Sequence, residues 1–96
     1  MRQAYVVSYD ISDPKRLRKV FRLMRGYGDH LQLSVFRCEL NRRELIELRT
    51  RLAEVIHHGQ DQVLFVDTGP VEGRGRGCIE ALGRPYTCPE RHAIVA

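Results

Sequence analysis

The sequence has no long apolar run: none approaches the roughly 20 consecutive residues that a membrane-spanning helix needs. The N-terminal segment MRQAYVVSYD also lacks the basic region, the apolar stretch and the small-residue cleavage site of a secretory signal peptide. Both absences argue against membrane anchoring and against export. A cytoplasmic protein is therefore expected.

Cysteine is scarce and poorly arranged for a structural site. The three cysteines, Cys38, Cys78 and Cys88, are odd in number and lack the short pairs that bind zinc. We expect free thiols, as in a reducing compartment. Cys38 is expected to be a small apolar residue of a strand.

Basic residues outnumber acidic ones. The 96 residues include 16 lysines and arginines against 12 aspartates and glutamates, and the isoelectric point is about 9.3. A chain of this length buries one modest core, which predicts a single domain over residues 1–96 and favours oligomerisation. The excess of positive charge favours an anionic partner such as nucleic acid.

The beginning of the chain predicts a strand followed by a helix. Residues 3–10, QAYVVSYD, are rich in β-branched and aromatic types and favour a strand. Asp13 and Pro14 indicate a helix start, because Asp caps free amide groups and Pro fits the first helical position. The helix then follows an apolar stripe until two glycines end it; the stripe is Leu17, Val20, Phe21 and Met24, and the glycines are Gly26 and Gly28.

The middle of the chain predicts further strands and a second helix. Residues 31–40 are strand-like, but their apolar pattern changes phase near Ser34, which fits one bent strand or two short ones. Asn41 and Glu44 form a capping-box pattern at the start of a second amphipathic helix, and QVLFVD at 62–67 has strand length. From residue 69 the sequence is Gly-rich and weakly patterned, with a short helix at 78–82 as one option and a strand-like end, HAIVA.

This order of elements predicts an α+β fold, a ferredoxin-like sandwich of the βαββαβ type with two helices on one face of an antiparallel sheet. The segments YVV and VLFV are apolar at consecutive positions, as in strands that are covered on both sides. Because the helices cover one face, we expect a second copy on the other, in a homodimer with the sheets facing each other. Residues 69–96 are expected to form a C-terminal extension that can add an edge strand.

Asp10 is the strongest candidate for a catalytic and metal-binding residue. It ends an apolar strand just before a helix, a place where a carboxylate is held by rigid elements and stays accessible. An ordinary turn aspartate would look the same. In a homodimer whose two-fold axis passes near this strand end, two copies of Asp10 would approach each other. Mg²⁺ would relieve their repulsion and could assist phosphodiester hydrolysis.

The first helix is strongly basic. The run from Pro14 to Gly28 contains no acidic residue, whereas the second helix mixes both signs. A solvated helix face is the alternative, but like charges concentrated on one helix repel each other and favour contact with phosphate groups. The predicted nucleic-acid-binding residues are Lys15, Arg16, Arg18, Lys19, Arg22 and Arg25.

Other candidates are weaker. GRGRG at 73–77 can follow a phosphate backbone but matches no phosphate-loop signature, and a solvated loop explains it equally well. Tyr9 and Phe36 can stack on bases, although packing in the core is the expected role of each ring.

Several segments together resemble the CRISPR-associated Cas2 family. They are YDIS at 9–12, the basic first helix, Gly28, LQLSVFRCEL at 31–40 and DQVLFVD at 61–67. Their order and spacing in so short a chain are more specific than any one of them. The resemblance covers residues 4–68, and the tail from residue 69 departs from it.

The resemblance implies a ferredoxin-like homodimer that works with the Cas1 integrase in the acquisition of new spacers. It also implies a Mg²⁺-dependent endonuclease on RNA or double-stranded DNA, with the aspartate at the end of the first strand binding the metal at the dimer axis. That aspartate is Asp10, with Tyr9 beside it. Arg16 and Arg18 match the basic residues that follow, and Ser34 and Phe36 match the SVF segment as supporting residues.

Two alternatives remain open at this point. The same basic surface fits a purely architectural subunit that holds duplex DNA without cleaving it. A ferredoxin-like regulatory module that binds a small molecule at its dimer interface is the second alternative, which the concentrated positive charge argues against.

Overall fold

A computed structural model describes residues 1–86, apart from the Arg76 side chain, and in this part of the chain it shows four strands and two helices. No helix in this part of the chain is both long enough and apolar enough to cross a membrane. The elements are β1 (Gln3–Asp10), α1 (Pro14–Arg25), β2 (Gly28–Gln32), β3 (Val35–Leu40), α2 (Arg42–Val55), β4 (Gln62–Pro70) and a 3-10 turn at Arg74–Arg76.

The four strands form one antiparallel sheet in the order β2-β3-β1-β4. The central strand β1 pairs with β3 as far as Ser8 and with β4 as far as Asp10, so the end of β1 is held by β4. This sheet order, with two helices in the connections, is the ferredoxin-like α+β arrangement that the sequence predicted.

Helix α1 begins and ends where the sequence predicted. The Asp13 carboxylate accepts a hydrogen bond of 2.9 Å from the Arg16 backbone N–H, Pro14 opens the helix, and Gly26 is its C-cap. Val20 and Met24 are fully buried and fix the face that α1 turns toward the sheet. The basic side chains are thereby directed away from the core.

The phase change in residues 31–40 is a chain reversal. β2 and β3 are separate strands joined by a turn at Leu33 and Ser34, which decides between one bent strand and two short ones. Leu33 has a φ of 30°, and its carbonyl oxygen lies 2.7 Å from the His30 ring nitrogen Nε2. A left-handed backbone costs a residue with a Cβ on the order of 1–2 kcal/mol, so this tight turn is held against local strain.

Helix α2 begins with the predicted capping box. Asn41 accepts a 2.8 Å bond from the Glu44 N–H, and the Glu44 carboxylate accepts a 2.9 Å bond from the Asn41 N–H. Leu48 and Leu52 point into the core. β4 then runs past the predicted segment 62–67 as far as Pro70.

The core lies between the helices and one face of the sheet. The strands contribute Val7, Phe36 and Cys38 to it. The helices contribute four buried side chains: Val20, Met24, Leu48 and Leu52. Cys38 is fully buried, as expected for a small apolar strand residue. This helix-covered face accounts for alternate apolar residues of β1 and β4.

The other face of the sheet, called here the second face, carries the remaining apolar residues. Val6 lies opposite Val66, and Ser8 opposite Leu64, on this face. Leu64 and Val66 are 50% and 51% exposed. Consecutive apolar residues in these strands therefore divide between a filled core and a partly open surface.

The chain after β4 returns across the second face. Gly75 is buried there, and Ile79 and Tyr86 line a groove shared with Val6 and Val35. The short helix considered at 78–82 does not form, and the helical turn lies earlier, at Arg74–Arg76. The strand-like end HAIVA lies outside the described residues.

Candidate metal site and nucleic-acid interface

Asp10 stands exposed at the end of β1, opposite Gln62 at the start of β4. The preceding Tyr9 N–H donates a 3.0 Å bond to the Ser34 carbonyl oxygen in the β2–β3 turn. Because side chains alternate along a strand, Asp10 shares the second face with Leu64 and Val66. The candidate carboxylate thus lies on the open face of the sheet.

The Asp61 carboxylate accepts hydrogen bonds from the turn that follows Asp10. One Asp61 oxygen accepts from the Ser12 N–H at 3.0 Å and from the Ser12 hydroxyl at 3.2 Å. The other accepts from Arg16 Nε and from the His57 backbone N–H, each at 2.8 Å. A single carboxylate therefore joins the β1–α1 turn, α1 and the loop before β4.

The electrostatics of this contact follow from its geometry. The Arg16 guanidinium, with further help from the Ser12 and His57 amides, holds the pKa of the Asp61 carboxyl well below its usual range. The same hydrogen bond raises the pKa of the Arg16 guanidinium. The Arg16 N–H bond to the Asp13 carboxylate likewise lowers the pKa of Asp13. The carboxylates of Asp61 and Asp13 are ionised and accept hydrogen bonds within the chain, whereas Asp10 faces solvent.

The predicted phosphate-binding cations of α1 divide into two groups. Arg16 is half-buried in its ion pair with Asp61 and also donates from Nη2 to Gln60 at 3.3 Å. The other five are exposed along the helix: Lys15, Arg18, Lys19, Arg22 and Arg25. The structure thus presents a solvent-facing row of positive charge, with Arg16 held apart from it.

The aromatic candidates lie in the core. Tyr9 is 5% exposed and stacks on the fully buried Phe36, with ring centroids 6.2 Å apart. Burial raises the pKa of the Tyr9 hydroxyl. Both rings pack beneath the strand end that carries Asp10. Ser34 is half-buried and contributes its carbonyl oxygen to that strand end.

Asp10 is an oxygen donor of the kind that Mg²⁺ binds. Within residues 1–86, no three Asp, Glu, His or Cys side chains group closely enough to hold a metal ion. Mg²⁺ is commonly held by one or two carboxylates and several waters. One chain offers Asp10 as an exposed oxygen donor, which fits half of a site completed by a second copy.

Sequence reasoning missed Asp61. In the sequence this residue is only the start of DQVLFVD, and its link to Arg16 spans 45 positions. One signal was present: in an antiparallel pair the start of β4 lies beside the end of β1. A carboxylate immediately before β4 therefore lies near the turn after Asp10.

The fold of the chain and its similarity to known proteins identify its family. The sheet order and the two helices define a ferredoxin-like α+β protein. Residues 3–71 match the family of CRISPR associated protein Cas2. The chain belongs to this family, which confirms the resemblance noted in the sequence.

Individual relatives agree with this placement. The chain is 45% identical over 92 residues to the CRISPR-associated endoribonuclease Cas2 1 of Rhodospirillum rubrum, covering 96% of this chain and 89% of that protein. It is 39% identical over 82 residues to the CRISPR-associated endonuclease Cas2 2 of Thermus thermophilus, covering 84% and 91%. The crystal structure of Streptococcus pyogenes Cas2 matches with a TM-score of 0.72 and 33% identity, over 83% of this chain and 99% of that one.

Proposed function

We propose that the chain is a CRISPR adaptation protein that acts as a homodimer, works with the Cas1 integrase and cleaves RNA or double-stranded DNA at a Mg²⁺ site built on Asp10. One observation carries this proposal: the exposed Asp10 carboxylate shares a sheet face with the exposed Leu64 and Val66. The names of the relatives, endoribonuclease and endonuclease, support nuclease chemistry.

The second face supports a homodimer with facing sheets. Leu64 and Val66 are about half exposed, and a small domain gains stability by burying such side chains against a partner. A two-fold axis that crosses this face near the end of β1 brings identical residues of that strand end together. Asp10, on the same face at the strand end, then meets its counterpart.

Each chain contributes positioned groups to the reaction. The two Asp10 carboxylates would hold the cation, and the exposed row on α1 would bind phosphates elsewhere along the nucleic acid. A divalent cation held by these carboxylates would supply positive charge against the phosphodiester and would lower the pKa of a bound water molecule. The buried Tyr9 and Phe36 rings keep the strand end rigid.

Cleavage assays on labelled single-stranded RNA and double-stranded DNA test the proposal. Wild type should cut with Mg²⁺ and stop with EDTA, and Asp10→Asn should lose the activity while keeping its fold. Asp67→Asn is the matched control, because Asp67 is an exposed carboxylate at the opposite end of β4. Equal cutting by wild type and Asp10→Asn, or no cutting by wild type with Mg²⁺, contradicts the proposed catalysis.

A second candidate is an architectural DNA-binding subunit. The observation that favours it is the row of five exposed cations on α1, a helix with no acidic residue in its first turn. Binding without cleavage predicts salt-sensitive affinity for duplex DNA that Asp10→Asn leaves unchanged. The same protein preparations used for cleavage distinguish the two candidates.

A further inference from the structure

Asp61 lies beside both strands that meet at Asp10. Its carboxylate binds Ser12, two residues after Asp10, and its backbone leads directly into Gln62, which lies opposite Asp10. This one residue thereby connects the turn after β1 with the start of β4. A residue that is distant in sequence from Asp10 thus contacts the chain on both sides of the strand end.

This contact is buried and charged. The Asp61 side chain is 0% exposed, and the Arg16 side chain is 24% exposed. An ionised carboxylate in such a place needs a full set of donors, and Asp61 accepts from Ser12, Arg16 and His57. Loss of either charge would break this ion pair, and we expect it to loosen the turn.

Arg16 is committed to this contact. Its Nε and Nη2 groups donate to Asp61 at 2.8 and 3.2 Å, and Nη2 also reaches the Ser12 hydroxyl at 3.2 Å. A guanidinium that grips a carboxylate with two groups is fixed in orientation. The same donors cannot at once bind a phosphate.

We propose that Asp61, acting through Ser12 and Arg16, is a positioning residue that fixes the Asp10 carboxylate for cation binding. In this account Arg16 acts on the metal site through Asp61, and phosphate contact belongs to the exposed row of α1. The inference rests on the proposed function, since it assigns a role within the Asp10 site.

The two interpretations of Arg16 predict different behaviour for Asp61→Asn. If Arg16 positions Asp10 through Asp61, then Asp61→Asn and Arg16→Gln should have the same effect, and the double variant should be no worse than either. If Arg16 binds phosphate, Asp61→Asn should release it and preserve or strengthen nucleic-acid affinity, whereas Arg16→Gln should weaken that affinity.

A first experiment reads the contact without any cleavage. In ¹⁵N-labelled protein, the Ser12 amide should exchange with solvent faster in Asp61→Asn and in Arg16→Gln than in wild type, and Mg²⁺ titration should shift the Asp10 signals at higher concentrations. The loss of outer groups that orient a metal ligand typically weakens metal binding about 10- to 100-fold, and we expect roughly the lower figure. Arg16→Gln carries the test if Asp61→Asn does not fold.

A second experiment separates cation dependence from substrate affinity. The Mg²⁺ concentration for half-maximal cleavage should rise about tenfold in both variants, with nucleic-acid affinity changed less than about twofold. Glu44→Gln is the matched control, because it breaks the ion pair with Arg2 at the other end of β1 and keeps a residue suited to the capping box. This control should match wild type in both measurements.

The outcomes distinguish failure of the proposed function from failure of the positioning role of Asp61. A wild type that neither binds Mg²⁺ nor cuts overturns the proposed function. A wild type that does both, together with variants that keep its Ser12 protection and its Mg²⁺ dependence, overturns the positioning role alone. Loss of nucleic-acid affinity in Arg16→Gln but not in Asp61→Asn assigns Arg16 to phosphate and also overturns it.

Discussion

The Arg37 guanidinium in β3 donates a 2.9 Å hydrogen bond to the Gly75 carbonyl oxygen, and this bond ties the segment after β4 to the second face of the sheet. Arg37 is 2% exposed and also pairs with Glu39 at 2.7 Å. A buried guanidinium is stabilised only by such partners, because an uncompensated charge away from water is costly. The path of the chain across the second face therefore depends on Arg37.

Arg37→Met should lower the free energy of unfolding by about 2–3 kcal/mol, since it removes charge-assisted hydrogen bonds and leaves the Gly75 carbonyl without this donor. Urea denaturation measures the change. Arg43→Met, which alters an exposed arginine of α2, is the control and should stay within about 0.5 kcal/mol of wild type. Equal stability of the two variants would show that the bond from Arg37 to Gly75 does not stabilise the fold.

Gly28→Ala should destabilise the sheet. A Cβ at Gly28 would lie 2.5 Å from both the Arg37 carbonyl oxygen and Cys38 Sγ, so backbone must shift to admit it. Overpacking of this kind costs about 1–3 kcal/mol. Gly77→Ala is the control, because nothing lies within 4 Å of its added Cβ. Thermal melting measures the change. An equal fall in melting temperature for the two variants would show that the close approach at Gly28 does not limit stability.

The Asp61 contact should make stability sensitive to acid. The folded-state pKa of Asp61 lies well below its ordinary value of 3.8, so its contribution is complete above about pH 5 and fades as pH falls further. The gap in unfolding free energy between wild type and Asp61→Asn should therefore shrink below pH 4 and stay constant from about pH 5 to 7. Paired urea titrations at each pH measure this gap. A gap that does not change on acidification contradicts the ion pair.

The elements set by neighbouring residues could be predicted from the sequence. Asp13 with Pro14 and Asn41 with Glu44 place the helix starts correctly, because a cap is made within one turn. The strand that ends at Asp10 also follows from a local pattern. These local signals account for the fold class and for the placement of the candidate carboxylate.

The contacts between distant segments could not be predicted in this way. The pairing of Arg16 with Asp61 spans 45 positions, and its existence depends on the packing of β4 beside β1. Composition placed Arg16 among the phosphate-binding cations because its charge is visible in the sequence and its partner is not. The reversal at Leu33 was hidden for a related reason, since a leucine with positive φ gives no turn signal.

The exposed cations of α1 should set the salt dependence of nucleic-acid binding. Lys19→Ala combined with Arg22→Ala should weaken binding to all sequences alike, and the slope of log affinity against log salt should fall by roughly one for each phosphate that is no longer neutralised. Arg42→Ala with Arg43→Ala removes equal charge from α2 and is the control. An equal effect of the two double variants would mean that net charge, and not the α1 surface, governs binding.

Cleavage by dimers mixed from wild-type and Asp10→Asn chains, after joint unfolding and refolding, shows whether the two chains of a dimer share one metal site. If both Asp10 carboxylates of a dimer are required, activity should fall as the square of the wild-type fraction, leaving about one quarter in an equal mixture. If each chain carries its own site, about half should remain. We expect the quadratic fall, and a linear fall would contradict the shared site.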